Sequence, residues 1–427
     1  MIVPSSVENR WGLIKNEKLI LVPIKTSRIL EIIKDLFIAA VCVLTLGLPF
    51  YFNPSLKDSL YYSFFYHRKL IKLHQDPLGL LPLMNALRFK EALNRLGWQE
   101  TVPYLMNLVA KSRTKKIDLE ARIVKMLSLF FMAIRQPHVS KTLPLGFKEC
   151  AAIQSSSGKL GSFNYSAALS AGIKFPMEDV VLIETLEMTV KGTQESISCF
   201  ILMDGHGIQK GQEPINLYAK KFFLSHLRTY LNAYLKEGFS FCGVYEAFKS
   251  SFTEINENFP YQRSGTTFLG LFFINHLMFC ISIGDSKAFL VDPFLRVPLA
   301  LTADPQHPYF AKKLVKVKAS VNTVNSVTRV ANVLNMATAL GDKHITNKEG
   351  AKVIKPSMSF VCIPQIWIQS PAYVVLGSDG VFDFLSDKEI EHIIRKESTL
   401  SVKAQEFLTC AFSHGSNDNL SSIVLKI

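Results

Sequence analysis

Five acidic residues stand where an apolar run stops. They are Glu178 and Asp179 in FPMEDV, Asp204 in FILMDGHG, Asp379 in AYVVLGSDGVFDFL and Asp418 in GSNDNLSSIVLKI. An apolar run followed directly by Asp-Gly or Asp-Asn places a carboxylate at a strand end, in a tight turn. Carboxylates gathered from several strand ends cannot all stay charged side by side without a counter-charge. A hard divalent cation supplies one. The set offers only oxygen, with no Cys or His pair at ligand spacing, so the expected ion is Mg²⁺ or Mn²⁺ rather than Zn²⁺.

The elements that must hold these residues begin near residue 165. From there the chain reads as short β-branched and aromatic runs divided by turns: 180–190, 196–204, 266–274, 276–285, 288–292, 372–379 and 421–427. Their composition predicts strands. Asn275-His276 between two runs predicts a hairpin turn. Amphipathic segments at 215–236 and 241–257 predict helices. Residues 386–396, with Ser386 as N-cap and Glu389 three places on, predict another helix opened by a capping box. Antiparallel strands with helices inserted in groups predict an α+β sandwich.

The first third of the chain is different. Of 427 residues, 1–150 carry 22 Lys and Arg against 11 Asp and Glu, a net +11, and 151–427 carry only +2 of the total +13. Residues 36–56 form a run of 21 without a charge, about the length that crosses a bilayer. Two readings stand: a membrane span or re-entrant anchor, whose second half Pro49 and Asn53 weaken, or a buried core helix. Lys25, Arg28 and Lys34 before the run nearly balance Lys57, Arg68, Lys69 and Lys72 after it, which leaves orientation open. An aromatic cluster at 61–66 reads as an interfacial belt or as packing within a helical domain. Residues 77–135 show helical periodicity. The domain plan is therefore a basic, mainly helical region over 1–150, a polar linker over 151–164 and a second domain over 165–427. The seven cysteines are scattered with no CxxC, which predicts reduced thiols in a cytosol-facing protein. The 48% hydrophobic content and 31 Phe require a large aromatic interior.

Eight blocks in order carry a resemblance: GIKFPMED, LMDGHG, SGTTFLGLFF, ISIGDSKAFLV, LTADPQHP, ALGD, LGSDGVFDFL and GSNDNLSSIVL. Together they resemble the metal-dependent protein phosphatases of type 2C, over residues 165–427. The resemblance implies two packed antiparallel sheets flanked by helices, with two Mg²⁺ or Mn²⁺ ions at one end and a third, weaker site. It implies that Asp204 bridges two ions, that the Gly205 carbonyl binds one, and that Asp379 and Asp418 complete that ion's shell. Glu178 serves the other ion and Asp179 holds its waters. Asp304 and Asp383, with Asp379, match the third site. His206 matches the histidine that protonates the leaving oxygen, and Lys174 stands where the family grips phosphate with Arg. Thr338 and Lys287 also replace customary arginines, and Ile208 replaces a glycine. Asp285 and Asp342 read as turn residues, and His307 and His414 as loop residues.

The expected reaction is hydrolysis of phosphoserine and phosphothreonine in proteins by a metal-bound hydroxide, with no covalent phosphoenzyme. Two cations orient the phosphate, acidify a water and offset transition-state charge. An imidazole can donate a proton near neutral pH. A competing reading is a pseudophosphatase that uses the fold as a binding module. Retention of the metal carboxylates speaks against it. Nucleic-acid binding by the basic third is disfavoured, because the same third is the most apolar. The expected protein is a monomeric signalling phosphatase acting on phosphoproteins, membrane-associated with its phosphatase domain in the cytoplasm, or cytoplasmic if 36–56 is a buried helix.

Overall fold

A computed structural model of the chain describes the backbone of 11–14 and 20–23, and 150–427 apart from 191, 294–297, 304–320, 325–326, 331–333, 335, 337, 348, 366–367 and 369. The apolar run 36–56, the helical pattern over 77–135 and the site residue Asp304 lie outside the described residues. The chain divides into two units, Met1–Met126 and Leu127–Ile427. In the first, β1 (Trp11–Ile14) pairs antiparallel with β2 (Ile20–Pro23).

The second unit is built on two antiparallel sheets. One has six strands in the order β11 (Leu299–Ala300), β10 (Lys287–Val291), β16 (Tyr373–Gly377), β17 (Leu420–Lys426), β4 (Phe163–Ser170), β3 (Gln154–Leu160). The other has β14 (Leu340–Gly341), β7 (Gly265–Thr266), β6 (Thr193–His206), β8 (Phe268–Ile274), β9 (Leu277–Ile283) and β15 (Ser359–Pro364), with β5 (Asp179–Val190) also paired to β6. A separate hairpin joins β12 (Val321–Val324) to β13 (Val327–Val330). The sheets face one another through aromatic side chains. Phe163 of β4 stacks on Phe273 of β8 with ring centres 3.8 Å apart, and Phe200 of β6 meets Phe163 edge-on. Both central strands β8 and β9 are buried along their whole length, which is why their sequences are continuous apolar runs rather than alternations.

Helices cover the outer faces. α1 (Ile215–Tyr234) and α2 (Phe241–Asn258) lie on the seven-stranded sheet, with Phe223 and Phe252 4.6 and 4.7 Å from Phe268. On the six-stranded sheet sit the single turn α3 (Asp379–Phe382), α4 (Asp387–Arg395) and α5 (Leu400–Ser413). Phe382 joins them to the sheet, 4.9 Å from Phe289 and 5.8 Å from Phe407. The capping box opens α4: Ser386 Oγ accepts from Glu389 N, and Glu389 Oε2 accepts from Ser386 N. Asn275 and His276 adopt φ of 47° and 59°, the two left-handed residues that a tight hairpin between β8 and β9 requires.

One boundary differs from the sequence reading. Within the expected linker 151–164, residues 154–162 are β3 and its turn into β4, fully paired from Gln154↔Leu169 to Leu160↔Phe163. β3 is an edge strand whose first six residues are exposed, so it needs no apolar face and leaves no hydrophobic alternation to read.

Candidate metal centre

The site grows from the register of β5 and β6. Asp179, the first residue of β5, stands opposite Asp204 near the end of β6. Residues directly opposite on antiparallel neighbours project to the same face of the sheet. β6 changes partner at this point: residues 198–202 pair with β8, whereas Gly205 and His206 pair with β7. Two threonines in the gap hold the Asp204 backbone. Its carbonyl accepts from Thr267 N at 2.8 Å and Thr266 Oγ1 at 2.9 Å, and its amide donates to Thr267 Oγ1 at 3.0 Å.

Asp379 and Asp418 arrive from the other sheet. Asp379 is the first residue of α3, straight after β16, and Asp418 lies two residues before β17. Gly380 sets how closely these segments approach: a Cβ there would lie 2.1 Å from the Asn419 carbonyl oxygen and 3.2 Å from the Asp418 Cβ. The carboxyls of Asp204 and Asp379 share a hydrogen bond. Burial pushes Asp179 up to about 7, with the fields of Asp379 and Asp418 adding to it and the Ser421 and Ser378 hydroxyls opposing it. Asp204 is raised well above the carboxylate range by burial and by the charges of Asp179, Asp379 and Asp285. Asp379 is raised by burial and by Asp383 and Asp418.

Glu178 and Gly205 are joined through their backbones. The Glu178 carbonyl accepts from Gly205 N at 3.2 Å and from Asn216 Nδ2 at 2.5 Å, and the Glu178 amide donates to Asn419 Oδ1 at 2.7 Å. Asn419 also donates from Nδ2 to the carbonyls of Ala171 and Lys174 at 3.0 and 2.7 Å. This buried asparagine thus ties the loop bearing Lys174 and Glu178 to the segment bearing Asp418. Lys174 Nζ lies 2.6 Å from Asp418 Oδ1 and 3.4 Å from Glu178 Oε2. Burial alone would lower the Lys174 ammonium; contact with Asp418 and the charges of Glu178 and Asp204 outweigh it and hold the pKa above its ordinary value.

His206 follows Gly205, and its Nε2 meets Asp342 Oδ2 at 2.8 Å. A Cβ on Gly265 would fall 2.1 Å from that carboxylate oxygen and 2.2 Å from the imidazole nitrogen, so only glycine leaves room for the pair. Asp342, read from sequence as a turn residue, does sit in a turn, and its carboxylate also engages His206. Asp285, read the same way, is buried beside the acidic cluster. Burial and the charges of Asp379 and Asp383 raise it, and Lys287 opposes them. Asp383 is held by Lys287 at 2.6 Å.

The structure thus assembles Lys174, Glu178, Asp179, Asp204, Gly205, Asp379 and Asp418 at one end of the sandwich. It sets His206 beside them and brings Asp383 near Asp379. The sequence reading missed Asn216, Asn419 and Ser421, whose hydroxyl donates to Asp179 Oδ2 at 2.6 Å. The residues present fit a hard divalent ion. Asp179 Oδ1 and Asp285 Oδ1 are buried without a hydrogen-bond partner. The surrounding acids repel one another, and every side-chain donor of the cluster is oxygen.

Comparison with known proteins gives the chain's family. A family profile described as Protein phosphatase 2C matches residues 164–420. "Probable protein phosphatase 2C 45" from Oryza sativa subsp. japonica is 24% identical over 266 residues, 62% of this chain and 88% of that protein. "Protein phosphatase 1L" from Bos taurus is 25% identical over 272 residues, 62% of this chain and 72% of that protein. Among solved structures, a serine-threonine phosphatase 2C from Toxoplasma gondii shares the fold, with a TM-score of 0.50 at 15% identity over 65% of this chain and 99% of its own. The chain belongs to the protein phosphatase 2C family, and its second unit carries that family's serine/threonine protein phosphatase domain.

Proposed function

We propose that the acidic end of the sandwich hydrolyses phosphoserine and phosphothreonine in proteins with two Mg²⁺ or Mn²⁺ ions. The observation that carries this reading is the convergence of Asp179, Asp204, Asp379 and Asp418 from four segments, with a buried Asp179 oxygen that no protein group satisfies. Asp204, the Gly205 carbonyl, Asp379 and Asp418 would hold one ion. Asp204 and Glu178 would hold the other, with Asp179 placed to orient water. Bound divalent ions offset phosphate charge and lower the pKa of water toward neutrality. Lys174 adds a cationic charge at the rim for the incoming phosphate. His206, its Nε2 engaged by Asp342, passes a proton from Nδ1 to the leaving serine or threonine oxygen. Asp383 and Asp304 would join Asp379 in a weaker third site, and Asp285 flanks Asp379 as a further carboxylate.

The test is phosphate release from a phosphothreonine peptide by the full chain with Mn²⁺. Release that is lost with chelator and in Asp379→Asn supports the reading. A folded chain that releases none, or an Asp379→Asn variant that still turns over, overturns it.

We further propose that residues 36–56, with their basic flanks, tether the phosphatase to a membrane whose cytoplasmic side it serves. The length and apolarity of that run support this. Among the described residues, no helix is long and apolar enough to cross a membrane. Fractionation without detergent checks the tether: an intact chain found wholly in the soluble fraction excludes it.

A further inference from the structure

Away from the acidic end, three side chains of different chemistry meet where α4 and α5 pack together. Glu389 lies in the first turn of α4, Cys410 in the last turn of α5, and His414 caps α5. Each offers one ligand atom, and the three atoms lie within 4.8 Å of one another. His414 Nε2 is 3.4 Å from Glu389 Oε1.

The second nitrogen of His414 decides what the first can do. Nδ1 lies 2.8 Å from the carbonyl oxygen of Phe384. A carbonyl only accepts, so Nδ1 carries the hydrogen. In the neutral ring Nε2 therefore carries a lone pair, and it faces a carboxylate oxygen with a thiol alongside. A histidine that binds a metal ordinarily donates its other ring hydrogen to a backbone carbonyl in this way, which sets the ring's orientation and tautomer. Glu389 is braced as well: its Oε2 accepts from Ser386 N at 2.7 Å and from Ser386 Oγ at 2.6 Å, with Oε1 turned toward His414. The His414 and Glu389 side chains are 28% and 35% exposed, enough for an ion to enter from solvent.

We infer that Glu389, Cys410 and His414 form a second metal site, selective for Zn²⁺ or a similar thiophilic ion, with solvent in the fourth position. One sulfur, one imidazole nitrogen and one carboxylate oxygen is a ligand set that suits zinc and not magnesium, the reverse of the all-oxygen acidic end. Binding releases the thiol proton and draws the three atoms from their present spacing to within about 2.0–2.3 Å of the ion. The site pins the C-terminus of α5 to the N-terminus of α4. Through Phe384 it touches the segment that directly follows Asp383. The inference does not depend on the phosphatase reading.

The experiment uses the full chain in saturating Mg²⁺, which fills the oxygen sites, and titrates Co²⁺ as a spectroscopic substitute for Zn²⁺. A near-ultraviolet thiolate-to-cobalt charge-transfer band that saturates at one equivalent and disappears when Zn²⁺ is added is the expected result. The acidic end contains no sulfur and cannot produce that band. Cys410→Ser should abolish it, and His414→Gln should weaken Zn²⁺ binding by more than ~10-fold. Both variants should keep the Mg²⁺-dependent phosphatase rate of the wild type, which also shows that they fold. No band in the wild-type chain overturns the inference, and so does a band that survives in Cys410→Ser.

Discussion

The helix-covered face of the β6–β8 pair and the acidic end of β6 use burial in opposite ways. Toward the helix-covered face, Phe223, Phe252, Phe268 and Phe272 pack ring against ring with almost no exposed surface. Each such ring adds about 1.5–3 kcal/mol from burial, with edge-to-face pairing adding about 0.5–1.5 kcal/mol. At the end of β6, Asp179 and Asp285 are buried and Asp204 and Asp379 half-buried, yet burial disfavours their charge and their neighbours share its sign. The aromatic interior stabilises a site that by itself opposes folding. Function and stability are thus separable in this molecule, and substitutions should affect one without the other.

The largest separation is expected at Asp204. In Asp204→Asn, one acid leaves the cluster while the hydrogen bond to Asp379 is kept. On the proposed two-ion reading, losing Asp204 as a shared ligand should remove about 4 kcal/mol of transition-state stabilisation, a ~10³-fold fall in kcat/KM. The same variant in chelator should melt above the wild type, because an ionisable carboxyl that burial and neighbouring acids disfavour has gone. A variant that loses activity and also melts lower would show that the acids brace the fold, and the contrast between the two ends would fail.

The converse is Phe252→Ala. Its ring lies 5.1 Å from Phe223 and 4.7 Å from Phe268, and the cavity left behind cannot be refilled by flexible neighbours. Truncation should cost about 3–5 kcal/mol in chemical denaturation, with KM for peptide and metal requirement unchanged in the protein that remains folded. Altered metal affinity in Phe252→Ala would show that the core positions the site, through Phe268 and the adjoining Thr267 that bonds the Asp204 backbone.

Next in size is the response to pH and metal. The folded, metal-free chain keeps a proton on Asp179 up to about pH 7. An unfolded chain gives that proton up near ~3.9. The folded state therefore binds more protons between these values. Asp179's contribution to stability is full below the lower value and lost as pH rises through about 7. A bound cation takes the proton's place. Mn²⁺ at about 100 times its dissociation constant should add about 2.7 kcal/mol, and the gain should be larger at pH 8 than at pH 5, where protons compete for the same oxygens. Thermal melts with Mn²⁺ and with chelator at both pH values measure it. Equal shifts at the two pH values would place the ion elsewhere.

The sequence announced the acids and not their supports, for a physical reason. A carboxylate after an apolar run marks itself by contrast with its neighbours, and so Glu178, Asp179, Asp204, Asp379 and Asp418 stand out. Many of the strands and helices were legible for the same reason, since whole runs carry the pattern, but β4, β15 and α5 were not read. Asn216 and Asn419 act through amide groups that join Glu178 to segments far along the chain, and nothing local marks a polar residue bound for burial. Asp285 and Asp342 sat in recognised blocks but read as turn formers. Asp342 does occupy a turn, with φ of 48°, and its side chain nevertheless reaches His206. β3 escaped because an exposed edge strand has no buried face to encode.

The smallest effect probes the rim between the two regimes. Lys174 stands against Asp418 and Glu178 with a single ammonium, so its charge is committed to the acids that would hold the ions. A guanidinium has five donors in a plane and can keep those contacts while turning a fork toward a phosphate. In Lys174→Arg, one additional charge-assisted hydrogen bond to bound phosphate should be worth about 1 kcal/mol, which lowers KM for a phosphothreonine peptide ~5-fold. The gain falls on the bound substrate and the transition state alike, so kcat should stay put. Steady-state kinetics at fixed Mn²⁺ separates the two constants. A fall in kcat with KM unchanged would mean that Lys174 sets the positions of Asp418 and Glu178 rather than meeting phosphate. The lysine would then belong with the supports of the acidic end and not with its substrate-facing rim.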